Sequence, residues 1–498
     1  MTNLVGIDIG TQGVKAAIYS AEGERRAEAF EASRPHRPAP GEVEEDPEFQ
    51  LASTCRVLRE CVEQSGAGEI AAIAVTGQMA GVIGIGADGR AVTPYDSWLD
   101  TRCGAQISRM HREAGEAVLR VTGNAPSFNH GPKILWWKDE RPADYARIAK
   151  FVQPGGYVAM RLCGLGAESA FIDTSYLHFS GFADNRAKRW DDELCEKFGV
   201  DPAKLPRIVE PTAPVGGLTA EMAAACGLAA GTPVLAGCGD TAASFLSCGA
   251  TTPGICVDVA GTASVFAATT DAFAPDTHGG TLGCGQAATP GLWHPYAYIN
   301  GGGMNLEWFR RELASGEGAT FDELNALAAA VTPRDGLPMF LPHLGGRNSP
   351  AAPALRGAWA GLTWDHTRGE LFRAMLESVA LEYAIYQQAV RHLLPGATFT
   401  ELRITGGGEK SAVWNQIKAD VLQMPIVQIQ NGGGAPMGAA MLAGTGIGLF
   451  ASLPEVSGKW VALGQRFEPD PSRAGYYQGR VARYRALLGA LTKWSASS

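Results

Sequence analysis

The first 75 residues alternate between hydrophobic patterns of strands and of a helix. Residues 4–10 and 14–19 are short apolar runs separated by a glycine-containing turn, which predicts a β-hairpin. Asp46 and Pro47 are typical of a helix N-cap and first helical position. The apolar residues after them recur at helical spacing, at Leu51, Cys55, Leu58 and Val62. Residues 70–75 return to a strand pattern, so the alternation predicts an α/β fold.

Two short segments of the first half recur in the second half. Residues 10–17 (GTQGVKAA) and 261–268 (GTASVFAA) agree at five of eight positions, and VTGQ at 75–78 resembles ITGG at 404–407. Coincidence is the alternative in a Gly- and Ala-rich chain, but two matches in the same order, each at a strand end, favour duplication. We therefore expect two similar α/β domains, residues 1–245 and 246–498, around a central cleft, a common location for ligands.

Two helices are predicted in the second half from their caps and apolar stripes. Thr367 and Glu370 form a capping box before a long helix whose stripe is expected in the core, at Phe372, Leu376, Val379, Tyr383, Tyr386 and Val390. Ser411 opens a further helix, in which Trp414, Ile417 and Val421 are expected to be buried and Asn415 to face elsewhere.

Charge and composition exclude several classes of function. Lys and Arg number 42 against 51 Asp and Glu, a net charge of −9, which argues against nucleic-acid and membrane-surface binding. The uncharged stretch 70–87 is long enough to span a bilayer, but its internal T-G-Q turn predicts two buried strands instead. Ten cysteines without a C-x-x-C pair, and no secretory leader pattern at residue 1, predict a cytoplasmic protein.

The first hairpin combines groups that suit a nucleotide phosphate. Backbone N–H groups at Gly10 and the Thr11 hydroxyl can bind phosphate oxygens, Lys15 adds a cation, and Asp8 can face a phosphate-bound Mg²⁺. The alternative is a turn whose polar side chains bond their own backbone. Residues 261–262 (Gly-Thr) add a second candidate phosphate loop and favour a nucleotide. No G-x-x-x-x-G-K-[ST] is present, which excludes a P-loop.

Asp240 stands out because residues 227–270 contain only one other acid, Asp258. An ionisable group in an apolar run costs free energy unless it is paired or serves a site, so Asp240 is a candidate functional residue. The alternative is a cap for the helix expected over residues 241–246. The residues alone leave both interpretations open.

Four short segments of the first half form a distinctive set, namely Asp8 to Thr11, the Gln78-Met79 turn, residues 98–102 (WLDTR) and Gly239-Asp240. Together they resemble the FGGY carbohydrate kinases of the actin/hexokinase-like superfamily, with xylulokinases the most similar group. Residues 357–377 are similar to the second family signature throughout. The first signature is matched only in part, since His130 and Trp137 stand where the family prefers other residue types.

The resemblance implies two ribonuclease H-like domains and transfer of the γ-phosphate of ATP to a ketose hydroxyl with Mg²⁺, D-xylulose being the leading substrate. Asp240 is implied as the general base, and Asp8 and Asp240 as the metal-side carboxylates. The implied sugar contacts are Gln78, Met79, Trp98, Asp100, Arg102 and Asp240. The implied ATP contacts are Gly10, Thr11, Gln12, Lys15, Gly261, Thr262, Gly406, Gly407, Gly408, Ser411, Asn415, Gly434 and Ala435.

Some of these assignments have structural alternatives. Met79 and Trp98 also suit a hydrophobic core, and Asp100 and Arg102 also suit an internal ion pair. The glycine triplets at residues 406–408 and 432–434 also suit flexible surface loops. Ala80 also departs from the family, because xylulokinases usually have histidine there, and the loss of a sugar hydrogen bond weakens the case for D-xylulose. Another ketose or polyol, or a non-catalytic actin-like protein that binds nucleotide and sugar, remains the alternative. The expected partner is a small-molecule sugar, without nucleic acid or membrane, and a homodimer is left open.

Overall fold

The structure is a computed structural model that describes residues 2–66, 69–314, 319–430 and 432–496. These residues divide into two compact units, each built from three segments. The first unit comprises Met1–Thr251, Cys284–Trp293 and Gly433–Val461, and the second comprises Thr252–Gly283, His294–Gly432 and Ala462–Ser498. Residues 433–461, expected in the C-terminal half, thus pack within the first unit. The domain boundary predicted from the sequence, between residues 245 and 246, stays a prediction.

Strands and helices alternate along the first 251 residues. The strands are β1 (Asn3–Gly10), β2 (Gly13–Ser20), β3 (Arg25–Ala32), β4 (Glu44–Glu45), β5 (Ile70–Gly77), β6 (Ile83–Ile85), β7 (Tyr95–Asp96), β8 (Lys150–Val152), β9 (Phe171–Asp173), β10 (Ala183–Asp184), β11 (Arg189–Trp190), β12 (Arg207–Val209), β13 (Pro214–Gly217) and β14 (Pro233–Leu235). The helices are α1 (Pro47–Ser65), α2 (Gly104–Thr122), α3 (His130–Glu140), α4 (Pro142–Arg147), α5 (Pro154–Leu162), α6 (Asp192–Phe198), α7 (Ala220–Cys226) and α8 (Asp240–Ser247).

The alternation continues to the C-terminus. The remaining strands are β15 (Ile255–Ala260), β16 (Ser264–Ala268), β17 (Gly283–Gln286), β18 (Trp293–Ile299), β19 (Met339–Leu341), β20 (Arg347–Asn348), β21 (Ala351–Ala352), β22 (Ala358–Ala360), β23 (Glu401–Thr405), β24 (Ile426–Ile429) and β25 (Leu463–Phe467). The remaining helices are α9 (Gly302–Glu312), α10 (Phe321–Ala329), α11 (Arg368–Leu393), α12 (Ala412–Leu422), α13 (Gly434–Gly446), α14 (Leu453–Trp460) and α15 (Ala474–Ala496). In the described part of the chain, no helix combines the length and apolar character that a membrane crossing requires.

The predicted hairpin and first helix are confirmed. β1 and β2 pair antiparallel around a two-residue turn, and Asp46 caps α1 by accepting a hydrogen bond from the Glu48 N–H at 2.9 Å. The uncharged stretch 70–87 contains the two short strands β5 and β6 with a turn between them. Local signals of spacing and capping were therefore sufficient for these elements.

The first unit is built on a six-stranded sheet in the order β13-β14-β5-β1-β2-β3. β1, β2 and β3 run antiparallel to their neighbours in turn, whereas β5 lies parallel to β1 and β14 lies parallel to β5. The central strands are apolar on both faces because helices cover both sides, as in other sheets with parallel strands. This arrangement brings the carboxyl ends of β1 and β5 together.

One helix approaches this sheet more closely than side chains normally permit. α13 is rich in Gly and Ala, and a Cβ atom at Gly6 of β1 would lie only 1.8 Å from the Pro436 carbonyl oxygen. A Cβ at Gly438 would likewise lie 2.2 Å from the Ala243 carbonyl oxygen of α8. The absence of side chains at Gly6 and Gly438 therefore lets α13 pack against both β1 and α8, which explains why residues 433–461 belong to the first unit.

The sheet of the second unit repeats the strand order of the first. β16, β15, β23 and β24 are adjacent in this order, with β15 and β16 antiparallel and β23 and β24 parallel to β15. The same relations hold for β2, β1, β5 and β14. The two sequence matches lie at equivalent points, one in the hairpin between the first two strands and the other at the end of the first parallel strand.

The long helix α11 forms much of the second unit's core. Thr367 and Glu370 form the predicted capping box, and all six residues of the predicted stripe are buried. The predicted helix after Ser411 also forms, with its three apolar residues buried. Asn415, which we expected to face elsewhere, is fully buried as well.

We predict that Gly6→Ala strongly destabilises the first unit. The new methyl group would overlap the Pro436 carbonyl, and overpacking of this kind costs about 1–3 kcal/mol or more. Gly475→Ala is the matched control, because its Cβ would meet no atom within 4 Å. Thermal unfolding should show a lower melting temperature for Gly6→Ala only. Equal melting temperatures for both variants would contradict this account of α13 packing.

Candidate active site

Asp8 lies near the carboxyl end of β1, where the strand leaves the core. In the sheet register it stands between Lys15 of β2 and Thr76 of β5. The Thr76 hydroxyl donates to Asp8 Oδ1 at 3.2 Å, and its oxygen lies 3.1 Å from the Ile7 carbonyl. Asp8 is half-buried, so one edge of its carboxylate remains reachable at the end of the sheet.

Asp240 is the first residue of α8, and Gly239 occupies the N-cap position. Asp240 Oδ1 accepts hydrogen bonds from the Thr241 N–H at 2.6 Å and from the Thr241 hydroxyl at 3.1 Å. The side chain therefore satisfies one N–H of the first helical turn without being the N-cap residue. A parallel bridge between Gly77 and Gly239 places this helix start beside the end of β5.

The two carboxylates influence each other electrostatically. Burial, and after it the charge of Asp240, raises the pKa of Asp8 to about 7, although Thr76 and Lys15 act in the opposite direction. Burial raises the pKa of Asp240 to about 6 against the hydrogen bonds from Thr241. Within the described residues, neither carboxylate forms an ion pair. Two desolvated, mutually repelling carboxylates are a donor set that suits Mg²⁺, which prefers a few carboxylate oxygens together with phosphate and water.

The Gln78-Met79 turn follows β5 and is held by buried polar contacts. Gln78 is fully buried, and its Nε2 donates to the Glu45 carboxylate at 3.0 Å and to the Gly10 carbonyl at 3.3 Å. The Met79 carbonyl pairs with Nε2 of His130, whose pKa is lowered to about 4, chiefly by burial. Glu45 and His130 were not proposed as supports from sequence, because nothing in their local pattern marks such distant partners.

Trp98 is 42% exposed, so the core interpretation of this residue is wrong. Its indole N–H donates to the Thr11 hydroxyl at 2.8 Å, which links the residue 98–102 segment to the β1–β2 hairpin. Met79 is only partly exposed, and its side chain fills the space beside Gly239, where a Cβ atom would lie 2.6 Å from the Met79 methyl carbon. Trp98 and Met79 thus flank the region of the two carboxylates within the first unit.

Asp100 and Arg102 form a buried ion pair. Arg102 donates to both oxygens of Asp100, with Nη2 at 2.6 Å and Nε at 2.8 Å from Oδ2. The Val43 N–H also donates to Oδ2 at 2.7 Å, and Arg102 contacts Glu44 at 2.8 Å. Because Asp100 is completely buried and its partners come from the protein, the structure favours the ion-pair alternative. Contact of either residue with a sugar stays a prediction.

The other predicted nucleotide residues of the first unit lie at two places. Gly10, Thr11, Gln12 and Lys15 belong to the β1–β2 hairpin, where Gln12 is exposed and the others are partly exposed. Lys15 Nζ is 4.0 Å from Glu28, a loose surface contact that leaves its charge largely solvated. Gly434 and Ala435 form the start of α13.

In the second unit, Gly261 and Thr262 form the turn between β15 and β16. Their carbonyls accept hydrogen bonds from the Gly303 N–H at 3.0 Å and the Met304 N–H at 3.1 Å, at the beginning of α9. Thr262 is exposed, so its hydroxyl is accessible. The turn is therefore a defined hairpin anchored to a helix rather than a loose loop.

The first glycine triplet, Gly406 to Gly408, leads from β23 into a 3₁₀ helix at Gly407–Lys410. A Cβ at Gly408 would lie 2.7 Å from the Trp414 ring, so the segment is packed closely against α12. Ser411 caps α12 by accepting from the Trp414 N–H at 3.3 Å. The flexible-loop alternative is therefore wrong for Gly408, which lies in a defined turn.

Asn415 bonds to the 3₁₀ turn that precedes α12. Its Nδ2 donates to the Glu409 carbonyl at 2.8 Å, so the buried amide supports the 3₁₀ turn. Within the described residues, its Oδ1 has no hydrogen-bond partner. The Glu409 carbonyl also accepts a hydrogen bond from Gln428 Nε2 at 2.6 Å, so two side-chain amides hold this turn. Direct contact of Asn415 with adenine stays a prediction.

Comparison with known proteins places these features in one family. Residues 3–247 match the N-terminal domain of the FGGY family of carbohydrate kinases, and residues 256–447 match the C-terminal domain of that family. Xylulose kinase of Bacillus subtilis (strain 168) is 28% identical over 494 residues, which cover 98% of this chain and 97% of that protein. Glycerol kinase of Aromatoleum aromaticum is 29% identical over 513 residues, covering 100% of both.

Solved structures agree with the sequence comparison. The crystal structure of xylulose kinase from Rhodospirillum rubrum matches with a TM-score of 0.92 at 29% identity, covering 99% of this chain and 100% of that chain. The matches confirm the predicted family and its two-domain α/β fold. Relatives of equal identity carry different substrate names, so identity alone does not select the sugar.

We predict that Asp8→Asn raises stability at pH 8 more than at pH 5 in metal-free buffer containing EDTA. The pKa of Asp8 is about 7 in the folded protein and near 3.8 when unfolded, so the folded state binds more protons between these values. Stability therefore falls as pH rises through this window, and the Asn variant escapes that loss.

Melting temperatures at the two pH values test this prediction. Glu22→Gln is the control, because it removes an exposed carboxylate from the β2–β3 turn of the same sheet. A gain for Asp8→Asn that is equal at pH 5 and pH 8 would contradict the assignment of the raised pKa.

Proposed function

Because the chain belongs to the FGGY family of carbohydrate kinases, we propose that it transfers the γ-phosphate of ATP to a hydroxyl of a ketose, with D-xylulose as the first candidate. The observation that carries the proposal is the pair of half-buried carboxylates, Asp8 and Asp240, at the ends of adjacent elements in the first unit. Two acids whose charges are held close at a cost in stability are typical of functional sites.

Asp240 is the proposed general base. Both of its hydrogen bonds from Thr241 go to Oδ1, so Oδ2 is available to accept the proton of the attacking hydroxyl. A pKa of about 6 suits this role, because the group is ionised near neutral pH and still has appreciable affinity for a proton. The hydroxyl oxygen bonds to the γ-phosphorus, the bond to the departing ADP oxygen breaks, and the proton moves to Asp240.

Asp8 and Asp240 are the residues that would hold Mg²⁺. When bound, the ion would neutralise charge on the transferred phosphoryl group and its leaving oxygen. The fit rests on the two carboxylates, which lack a cationic partner within the described residues, and on the oxygen preference of the ion. Thr76 holds Oδ1 of Asp8 by a hydrogen bond and so fixes the orientation of that carboxylate.

Candidate nucleotide-binding loops lie at strand ends in each unit. In the first unit these are the Gly10–Gln12 turn and the start of α13, whose N-terminal N–H groups favour an anion. In the second unit they are the Gly261-Thr262 turn and the 3₁₀ segment after β23. Each offers backbone N–H groups where side chains are small, which suits phosphate oxygens and the edge of a nucleoside.

For the sugar, the exposed Trp98 ring and the Gln78-Met79 turn are the proposed contacts. A second candidate function, phosphorylation of another ketose or a polyol, is favoured by Ala80, which replaces the histidine usual in xylulokinases. Similarity to a glycerol kinase at equal identity is consistent with that alternative. A site that has lost one hydrogen-bonding group discriminates less strongly for the corresponding hydroxyl.

We predict that Asp240→Asn lowers kcat by about 10²–10⁴-fold while the protein remains folded. Asparagine keeps the Oδ1 that accepts from Thr241 but cannot accept a proton as a carboxylate does. Coupled ADP-release assays measure kcat, and melting temperature and calorimetric sugar binding show whether the variant is folded. Unchanged kcat would eliminate Asp240 as the base, and Glu22→Gln should leave kcat unaltered.

The second candidate function predicts that D-xylulose is not the substrate with the highest kcat/KM in a panel of pentuloses, hexuloses and polyols. The physical reason is the missing imidazole at residue 80. Ala80→His should raise kcat/KM for D-xylulose relative to the best substrate of the wild type. Highest activity on D-xylulose in the wild-type protein, with no gain in Ala80→His, would contradict the inference from Ala80.

A further inference from the structure

A short buried segment of the first unit bonds to the loop that carries Asp240. The 3₁₀ helix Thr174–Phe179 follows directly after β9, and Ser175 in it is completely buried. Ser175 Oγ accepts the N–H of Gly239 at 2.9 Å and donates to Asp173 Oδ1 at 2.6 Å. A continuous chain of hydrogen bonds therefore runs from the residue before Asp240 to a buried carboxylate.

The same segment also bonds to the end of β5. The Tyr176 hydroxyl donates to the Gly77 carbonyl at 2.9 Å, and Tyr176 is 3% exposed. Gly77 and Gly239 are themselves joined by a parallel bridge. Ser175 and Tyr176 thus fix the two backbone segments that meet beside the candidate site.

The loop before Asp240 is held through its backbone, because two of its three residues, Gly237 and Gly239, have no side chain. Gly237 has φ +71°, and a Cβ there would lie 1.9 Å from the Val75 carbonyl oxygen, so glycine is required. Gly239 also lacks a side chain, and the hydrogen bonds of the Asp240 carboxylate go only to the next residue, Thr241. The position of the Asp240 carboxylate therefore depends on the backbone at Gly239.

We propose that Asp173 and Ser175 are positioning residues that hold the Gly239 backbone, and through it the Asp240 carboxylate, in the geometry required for proton abstraction. The inference rests on the proposed role of Asp240 as general base. Asp173 is anchored in turn by β9, which pairs in parallel with β12. The Ser175 hydroxyl bonds to the Gly239 backbone and to Asp173, and to no proposed sugar contact in the described part of the chain, so its loss should affect turnover rather than substrate affinity.

Ser175→Ala and Asp173→Ala should each lower kcat by about 10- to 100-fold, with the sugar KM little changed, because small displacements of a catalytic group have effects of this size. Asp173→Asn should restore most of the turnover, since its Oδ1 can still accept from the Ser175 hydroxyl and N–H. Turnover is expressed per folded site, counted by calorimetric sugar binding, so that partial unfolding does not lower kcat.

Ser180→Ala is the matched control. Ser180 is another buried serine close by, whose Oγ accepts N–H groups of Phe182 and Ala183 and donates to the Leu177 carbonyl. Its loss should lower the melting temperature without lowering kcat per folded site. Equal kcat losses in Ser180→Ala and Ser175→Ala would overturn the proposal in favour of a general structural effect.

A double variant tests whether Ser175 acts through Asp240. If it does, adding Ser175→Ala to Asp240→Asn should cause no further loss of kcat, because the group being positioned is already absent. A further loss of the same size in the Asp240→Asn background would overturn the proposal.

The experiment also separates the inference from the function on which it rests. Unchanged kcat in Asp240→Asn alone would refute the proposed base. A large loss in Asp240→Asn together with wild-type kcat in Ser175→Ala would refute only the positioning role.

Discussion

The electrostatic repulsion between Asp8 and Asp240 is the constraint around which the first unit is arranged. Two carboxylates in a partly desolvated place oppose folding, as their raised pKa values of about 7 and about 6 indicate. They persist because the surrounding backbone is over-determined, by the Gly77–Gly239 bridge and by the buried hydrogen bonds of Thr76 and Ser175. Strain of this kind is commonly retained where a protein binds charged ligands.

The two units share a strand order but differ in where the first strand of each carries its acid. Aligning the two Gly-Thr turns places Val259 of β15 opposite Asp8 of β1. The acid of β15 is instead Asp258, on the other face of the strand, where it is fully buried and pairs with Lys418 at 2.5 Å and Tyr383 at 2.7 Å. β1 thus has its acid near the strand end, whereas β15 has its acid in an ion pair inside the core. The two units therefore share their strand order but not the role of this acid.

Elements with strong local signals were predictable from the sequence. The β1–β2 hairpin, the helix after Gly239 and the caps at Asp46, Thr367 and Ser411 depend on neighbouring residues, and the structure places them as expected. The equivalent positions of the two repeated segments in the two sheets were also expected from the sequence, once duplication was assumed. Near the site, Asp8, Asp240, Gln78 and Trp98 were found through motif and resemblance, and the structure places Asp8, Gln78 and Asp240 at neighbouring strand and helix ends.

What the sequence did not reveal are contacts between distant residues with ordinary local surroundings. Ser175, Glu45 and His130 support the site through single hydrogen bonds across 64, 33 and 51 positions, and no periodicity encodes such a pairing. The hydrogen bond from Asn415 to the Glu409 carbonyl was not predictable for a similar reason, because this carbonyl belongs to a 3₁₀ turn whose geometry the sequence pattern does not specify. Residues 433–461 belong to the first unit because of close backbone packing, which hydrophobic patterns do not describe.

The packing of α13 on β1 also has a consequence for the order in which the chain folds. Gly6 leaves the ribosome early, whereas its partner Pro436 is more than 400 residues further along the chain. During synthesis the face of the sheet that α13 later covers, which includes Leu4 and Ala74, lacks its partner until most of the second unit has been made. An apolar surface exposed for that long favours aggregation or chaperone binding. Maturation of the first unit therefore depends on the synthesis of more than 400 residues beyond β1.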